Sequence, residues 1–154
     1  MVAAPDLDVF RLPGLCTAMS EEPSAVRSWH AVVESGDPAL LDGLLADDVV
    51  FRSPAMFTPL QGKAVTTHYL SSAMVVLGPS LRYVSEWHDQ TSAVLEFEAD
   101  LEGVYVHGVD ILRWNDDGKL NSFTVMVRPM RGLQKLVELM GAQLAAGRTN
   151  KSPP

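Results

Sequence analysis

A single cysteine, Cys16, stands in the 154 residues, so no internal disulfide can form and packing must hold the fold. Long apolar runs are missing too, and no stretch approaches the ~18 apolar residues that a membrane-spanning helix needs. Positive charge is scarce and scattered, 12 Lys and Arg against 19 Asp and Glu, for a net charge of −7. That balance argues against a phosphate-tracking surface, and with it nucleic acid as a partner. The opening MVAAPDLDVF lacks the basic start and apolar stretch of a signal peptide, so the expectation is a cytoplasmic protein with no membrane partner. The four histidines, His30, His68, His88 and His107, are dispersed with no pair at ligand spacing; neither a metal nor a cofactor is expected.

What remains is ordinary for a soluble globular chain: 47% hydrophobic and 20% charged residues. The length suits one domain that buries roughly two thirds of its unfolded surface. Residues 1–22 carry two prolines and no periodicity, and read as an irregular arm in which Met19, followed by Ser20 as a helix cap, is an alternative start. Residues 23–146 read as the domain and 147–154 as a frayed tail.

Val26, Trp29, Val32 and Val33 recur at helical spacing before the turn formers SGDP, which predicts a first helix over 23–34. Asp37 caps a short second helix with Pro38 at its first position and Leu40, Leu41, Leu44 and Leu45 inside. A short strand at 49–51 follows, where the acids Asp47 and Asp48 precede VVF, and a third helix runs from about Lys63 to Leu77. The period then changes from 3.6 to 2, giving strands at about 81–88, 92–101, 104–115 and 119–128. A last helix, about 130–146, carries Leu133, Leu136, Val137, Met140 and Leu144 on one stripe.

A two-residue turn at Glu102 and Gly103 sets Ala99 against Val106, Phe97 against Gly108, Leu95 against Asp110 and Ala93 against Leu112. Asp110 thereby falls on the apolar face. Glu98 meets His107 on the other face, where an ion pair is expected, while His30 is assigned to the surface.

The order of the phrases SGDPALLDGLLADDVVFRSP, GKAV and HGVDILRWNDDGKL, spaced as they are over residues 23–145, resembles the nuclear transport factor 2-like superfamily, particularly its SnoaL-like members. The resemblance implies an α+β fold, a cone-shaped, curved antiparallel sheet wrapped around three N-terminal helices with an additional C-terminal helix, and an apolar pocket inside. Ketosteroid isomerase shares that fold and keeps one carboxylic acid protonated in an apolar site. By resemblance that acid falls on Asp110, the isomerase's base on Ser53 and its oxyanion tyrosine on Trp29. A serine hydroxyl does not replace a carboxylate as a base near neutral pH, which argues against steroid isomerisation by that mechanism. The epoxide hydrolases of this fold need an acid where this chain has Val125, and the polyketide cyclases a histidine that strand 92–101 lacks.

Asp110 is thus the candidate catalytic residue, because a carboxyl among apolar neighbours must find donors, meet water or keep its proton. Trp29, Tyr69 and Trp114 are the candidate donors. The expected pocket wall is Trp29, Phe51, Ser53, Phe57, Tyr69, Phe97, Leu112, Phe123 and Val125, around a small apolar or polycyclic ligand. Acid–base isomerase, cyclase or hydrolase chemistry through Asp110 is one expectation, and a noncatalytic carrier or interaction module the alternative. A homodimer is expected through the sheet's outer face, at Val109, Ile111 and Met126.

Overall fold

The computed structural model describes residues 21–149. Most of the expected arm, with Cys16 and Met19, and the end of the tail lie outside the described residues. Four helices and six strands follow in the order α1 Ser24–Ser35, α2 Leu40–Leu44, β1 Leu45–Arg52, β2 Leu60–Gln61, α3 Lys63–Leu77, β3 Arg82–His88, β4 Ser92–Leu101, β5 Val104–Trp114, β6 Leu120–Arg128 and α4 Met130–Thr149. The strands make one curved, unclosed sheet in the order β2-β1-β6-β5-β4-β3, with the helices packed on its inner face.

Helix α1 buries Ala25, Val26, Trp29 and Val32, and ends at Gly36, whose φ of +64° lets its N–H reach back to the Val32 carbonyl at 2.9 Å. Asp37 does not cap α2 and Pro38 is not its first residue: the Asp37 Oδ1 accepts the Ala39 N–H at 2.9 Å within a turn, and the helix begins only at Leu40, with Ala39 at its N-cap. The β4–β5 hairpin has the expected register, from Leu101 opposite Val104 to Ser92 opposite Arg113. Its turn holds Glu102 at φ +54° and Gly103 at φ +82°, the two positive values that a right-twisted two-residue hairpin needs.

The N-terminal part of the sheet departs from expectation. Strand β1 starts at Leu45 rather than Val49, because Leu45 and Ala46 are buried, Asp47 and Asp48 face solvent, and Val49 turns back in. Two consecutive exposed acids break the alternation, and the pairing is irregular between Leu45 and Val50, so only the second half looked like a strand. Lys63 Nζ meets Asp47 at 3.2 Å and Asp42 at 3.5 Å there. Strand β1 runs parallel to β6, not antiparallel, and the short β2 is added at its outer edge. Helix α4 continues three residues past the expected end.

On the inner face of the hairpin, Phe97 lies opposite Gly108, and its ring fills the space that a side chain at 108 would take. A Cβ at 108 would stand 2.6 Å from the Phe97 ring and still closer to the Met126 carbonyl oxygen. The carbonyl belongs to the β6 ladder and cannot step aside. Gly108→Ala is therefore expected to destabilise the protein by about 1–3 kcal/mol, an overpacking cost; a urea midpoint equal to that of wild type would contradict this placement of the ring.

Candidate active site

Asp110 lies in the middle of β5, between Leu95 on β4 and Val125 on β6, and is only 5% exposed. Its Oδ2 accepts a hydrogen bond from the Tyr83 hydroxyl at 2.7 Å. The same Tyr83 oxygen accepts one from Trp29 Nε1, also at 2.7 Å. A helix, an edge strand and a central strand are thus joined by one chain of polar groups, Trp29 to Tyr83 to Asp110. Every donor in it is used, and the second carboxyl oxygen of Asp110 has no protein partner among the described residues.

Burial, partly offset by the hydrogen bond from Tyr83, holds the Asp110 carboxyl up at about 7. Tyr83 itself is held well above the ordinary phenol range, first by burial and then by the negative charge on Asp110. It stays a donor at neutral pH. Asp110 is then present as both acid and carboxylate near pH 7, the condition in which one group can give or take a proton.

These groups open into a cavity of about 590 Å³, within the ~300–1,000 Å³ common for small-molecule sites. Of the expected wall, Trp29, Phe51, Ser53, Tyr69, Phe97, Phe123 and Val125 line it with Asp110. Two residues do not. Phe57 is fully exposed in the loop between β1 and β2, since the proline-flanked segment carries it away from the sheet. Leu112 has no exposed surface and packs into the core beyond the cavity, opposite Ala93 and Phe123.

The donors differ from expectation as well. Trp29 reaches Asp110 only through Tyr83; Trp114 Nε1 donates to the Gln90 carbonyl at 3.0 Å, away from the cavity. Tyr69 packs its ring 6.0 Å from Phe51, and its hydroxyl makes no hydrogen bond among the described residues. Tyr83 was missed. The only signal for it was the inward parity of residue 83 with Phe97, and an irregular register between Tyr83 and Ser85 obscures that parity. Also missed as lining was the α4 stripe, Leu133, Leu136, Val137, Met140 and Leu144, which forms part of the cavity wall. Its spacing was visible, but not what it faced.

The cavity's charge is one-sided. Asp110 and, at the exposed rim, Glu34 are its carboxylates, and no Lys, Arg or His is among its described lining residues. On the outer face, His107 Nε2 pairs with Glu96 at 2.6 Å, the diagonal neighbour, rather than with Glu98 directly opposite, which takes Arg82 and Tyr105. His30 is not simply a surface residue: its Nε2 is 2.6 Å from Glu86 Oε1, and its ring meets that of Tyr83 edge-on.

Residues 26–123 match the model of the SnoaL-like domain family. The chain belongs to that family. Within the wider nuclear transport factor 2-like superfamily it is similar to a steroid delta-isomerase from Pseudomonas aeruginosa, at 36% identity over 84% of this chain and 98% of that one, with a TM-score of 0.78. An uncharacterised protein with a cystatin-like fold from Silicibacter pomeroyi is 25% identical over 86% of this chain and 94% of that one, again with a TM-score of 0.78. A nuclear transport factor 2-like protein from Mesorhizobium loti shares the fold at 20% identity, covering 68% and 88% of the two chains, with a TM-score of 0.60. No curated protein matches this chain.

The raised Asp110 carboxyl has a direct consequence for stability. Between the unfolded-state value of about 3.9 and the folded value near 7, the folded protein holds one more proton than the unfolded chain, so stability falls as pH rises through that window and then levels off. Asp110→Asn removes this titration. From pH 5 to pH 8 the unfolding free energy of wild type should drop by about 2–3 kcal/mol relative to Asp110→Asn. Urea titrations that run parallel for the two proteins across this range would mean that Asp110 titrates normally.

Proposed function

We propose that the protein binds a small, neutral, apolar or polycyclic molecule with its carbonyl or hydroxyl oxygen at Asp110, and that Asp110 acts on it as proton donor or acid–base. The observation that carries this reading is the free second oxygen of Asp110, in a carboxyl poised near neutral pH, at an otherwise apolar cavity. A protonated Asp110 donates to a carbonyl, and an ionised one accepts from a hydroxyl. The unpaired Tyr69 hydroxyl orients the oxygen; Trp29, already spent on Tyr83, does not. An anionic ligand would find no cationic side chain among the described lining residues.

The 36% identity to a protein described as a steroid delta-isomerase supports a polycyclic ligand of that class. A buried carboxylate base separate from Asp110, however, is not among the described lining residues, since the other lining carboxylate, Glu34, is exposed. Ser53 lines the cavity at the position the resemblance gives to that base, and its hydroxyl oxygen accepts the Ala55 N–H at 3.3 Å. If a proton is moved between two carbons, Asp110 must both take and return it. The same absence favours the second reading, a carrier that binds without turnover.

Two experiments test these readings. Screening uncharged ketones, lactones and epoxides by thermal shift should yield a stabilising compound, and Asp110→Asn should lose its turnover by at least a hundredfold, the scale of general acid–base contributions, while still folding. Turnover that survives the substitution would remove Asp110 from the chemistry; stabilisation with no turnover in either protein would establish the carrier. The outer sheet face, where Val109 and Ile111 are half-buried and Met126 is exposed, is assigned to a second copy of the chain. Met126→Glu is expected to shift the sedimentation of a dimer towards monomer, and an unchanged dimer would place the interface elsewhere.

A further inference from the structure

Tyr83 occupies an insecure place. Strand β3 is the outermost of the sheet and pairs only with β4, and the register shifts beside Tyr83 itself. An edge strand with one partner is free to move on its open side, yet the Tyr83 hydroxyl must meet both Trp29 and Asp110 at hydrogen-bonding distance. Its ring is held edge-on from two directions. The Phe97 ring stands 6.4 Å away at 90°, and the His30 ring 5.2 Å away at 83°.

The contact with His30 is itself fastened. His30 Nε2 lies 2.6 Å from Oε1 of Glu86, three residues beyond Tyr83 on the same strand. Glu22 Oε1, 3.9 Å from that nitrogen and paired with Arg27, adds a second carboxylate at the same corner. Consecutive residues of α1 thus grip one short piece of β3, Trp29 through the Tyr83 hydroxyl and His30 through Glu86. The His30 side chain is 23% exposed, so it is neither core filler nor freely solvated.

We infer that His30, fixed by Glu86, is a positioning residue that holds the Tyr83 ring where its hydroxyl meets Asp110. Its bearing on ligand chemistry rests on the function proposed for Asp110; the geometric part does not. If the grip is released, β3 moves outward, the Tyr83 hydroxyl withdraws and Asp110 keeps its proton more firmly. Electrostatics alone predicts the opposite for Glu86, because deleting a nearby negative charge makes a carboxyl easier to ionise. The two explanations therefore differ in sign.

The test is a carbon-detected NMR titration of the Asp110 carboxyl in wild type, His30→Ala, Glu86→Ala, Tyr83→Phe and the double variants that combine each of the first two with Tyr83→Phe. Positioning predicts that His30→Ala and Glu86→Ala both raise the Asp110 midpoint by about half a pH unit, a roughly threefold gain in proton affinity, and that neither does so once Tyr83→Phe is present. Should Glu86→Ala lower the midpoint or leave it in place, or should either shift persist with Tyr83→Phe, the inference is overturned. If His30→Ala does not fold, Glu86→Ala, altering a side chain 31% exposed, decides alone. No ligand enters the measurement, so failure to find a substrate leaves this result standing, and a negative titration leaves the proposed ligand site untouched.

Discussion

Everything at the centre of this protein depends on how one carboxyl group is kept inside an apolar cone. Asp110 has Leu95 and Val125 as its cross-strand neighbours, and a bare carboxylate there would cost far more than a small domain's stability margin allows. Tyr83 makes it tolerable by donating one hydrogen bond, and Trp29 completes the chain by satisfying the phenol oxygen. The result is a compromise between burial and hydrogen bonding that leaves the carboxyl near neutrality.

That compromise explains why the surrounding parts are as they are. Gly108 gives up a side chain so that Phe97 can lie across it, and the Phe97 ring then borders Tyr83 edge-on. The α4 stripe adds aliphatic side chains to the wall of the cavity that Asp110 also lines, without adding a competing charge. A second polar fastening of β3, between His30 and Glu86, involves residues that do not line the cavity.

Relatives of similar architecture include one described as a steroid delta-isomerase, and in this chain the described lining residues of the cavity include one buried carboxyl, Asp110. The shared fold supplies the cone, and Asp110 places an acid inside it here. What a given member does with them depends on few side chains around the cavity, because a shell of aliphatic and aromatic groups serves catalyst and carrier alike.

The sequence by itself determined what is periodic. The α1 stripe, the β4–β5 register and the inward turn of Asp110 all follow from alternation and a two-residue turn, and each is local in the chain. Only the tertiary structure decided which partner Asp110 finds, because Tyr83 is 27 residues away on a strand whose register slips beside it. It also decided the parallel pairing of β1 with β6, the exposure of Phe57 and the retreat of Leu112 into the core. A pattern of residue types fixes the side of an element that faces inward; the identity of what meets it there depends on how distant elements are brought together in space.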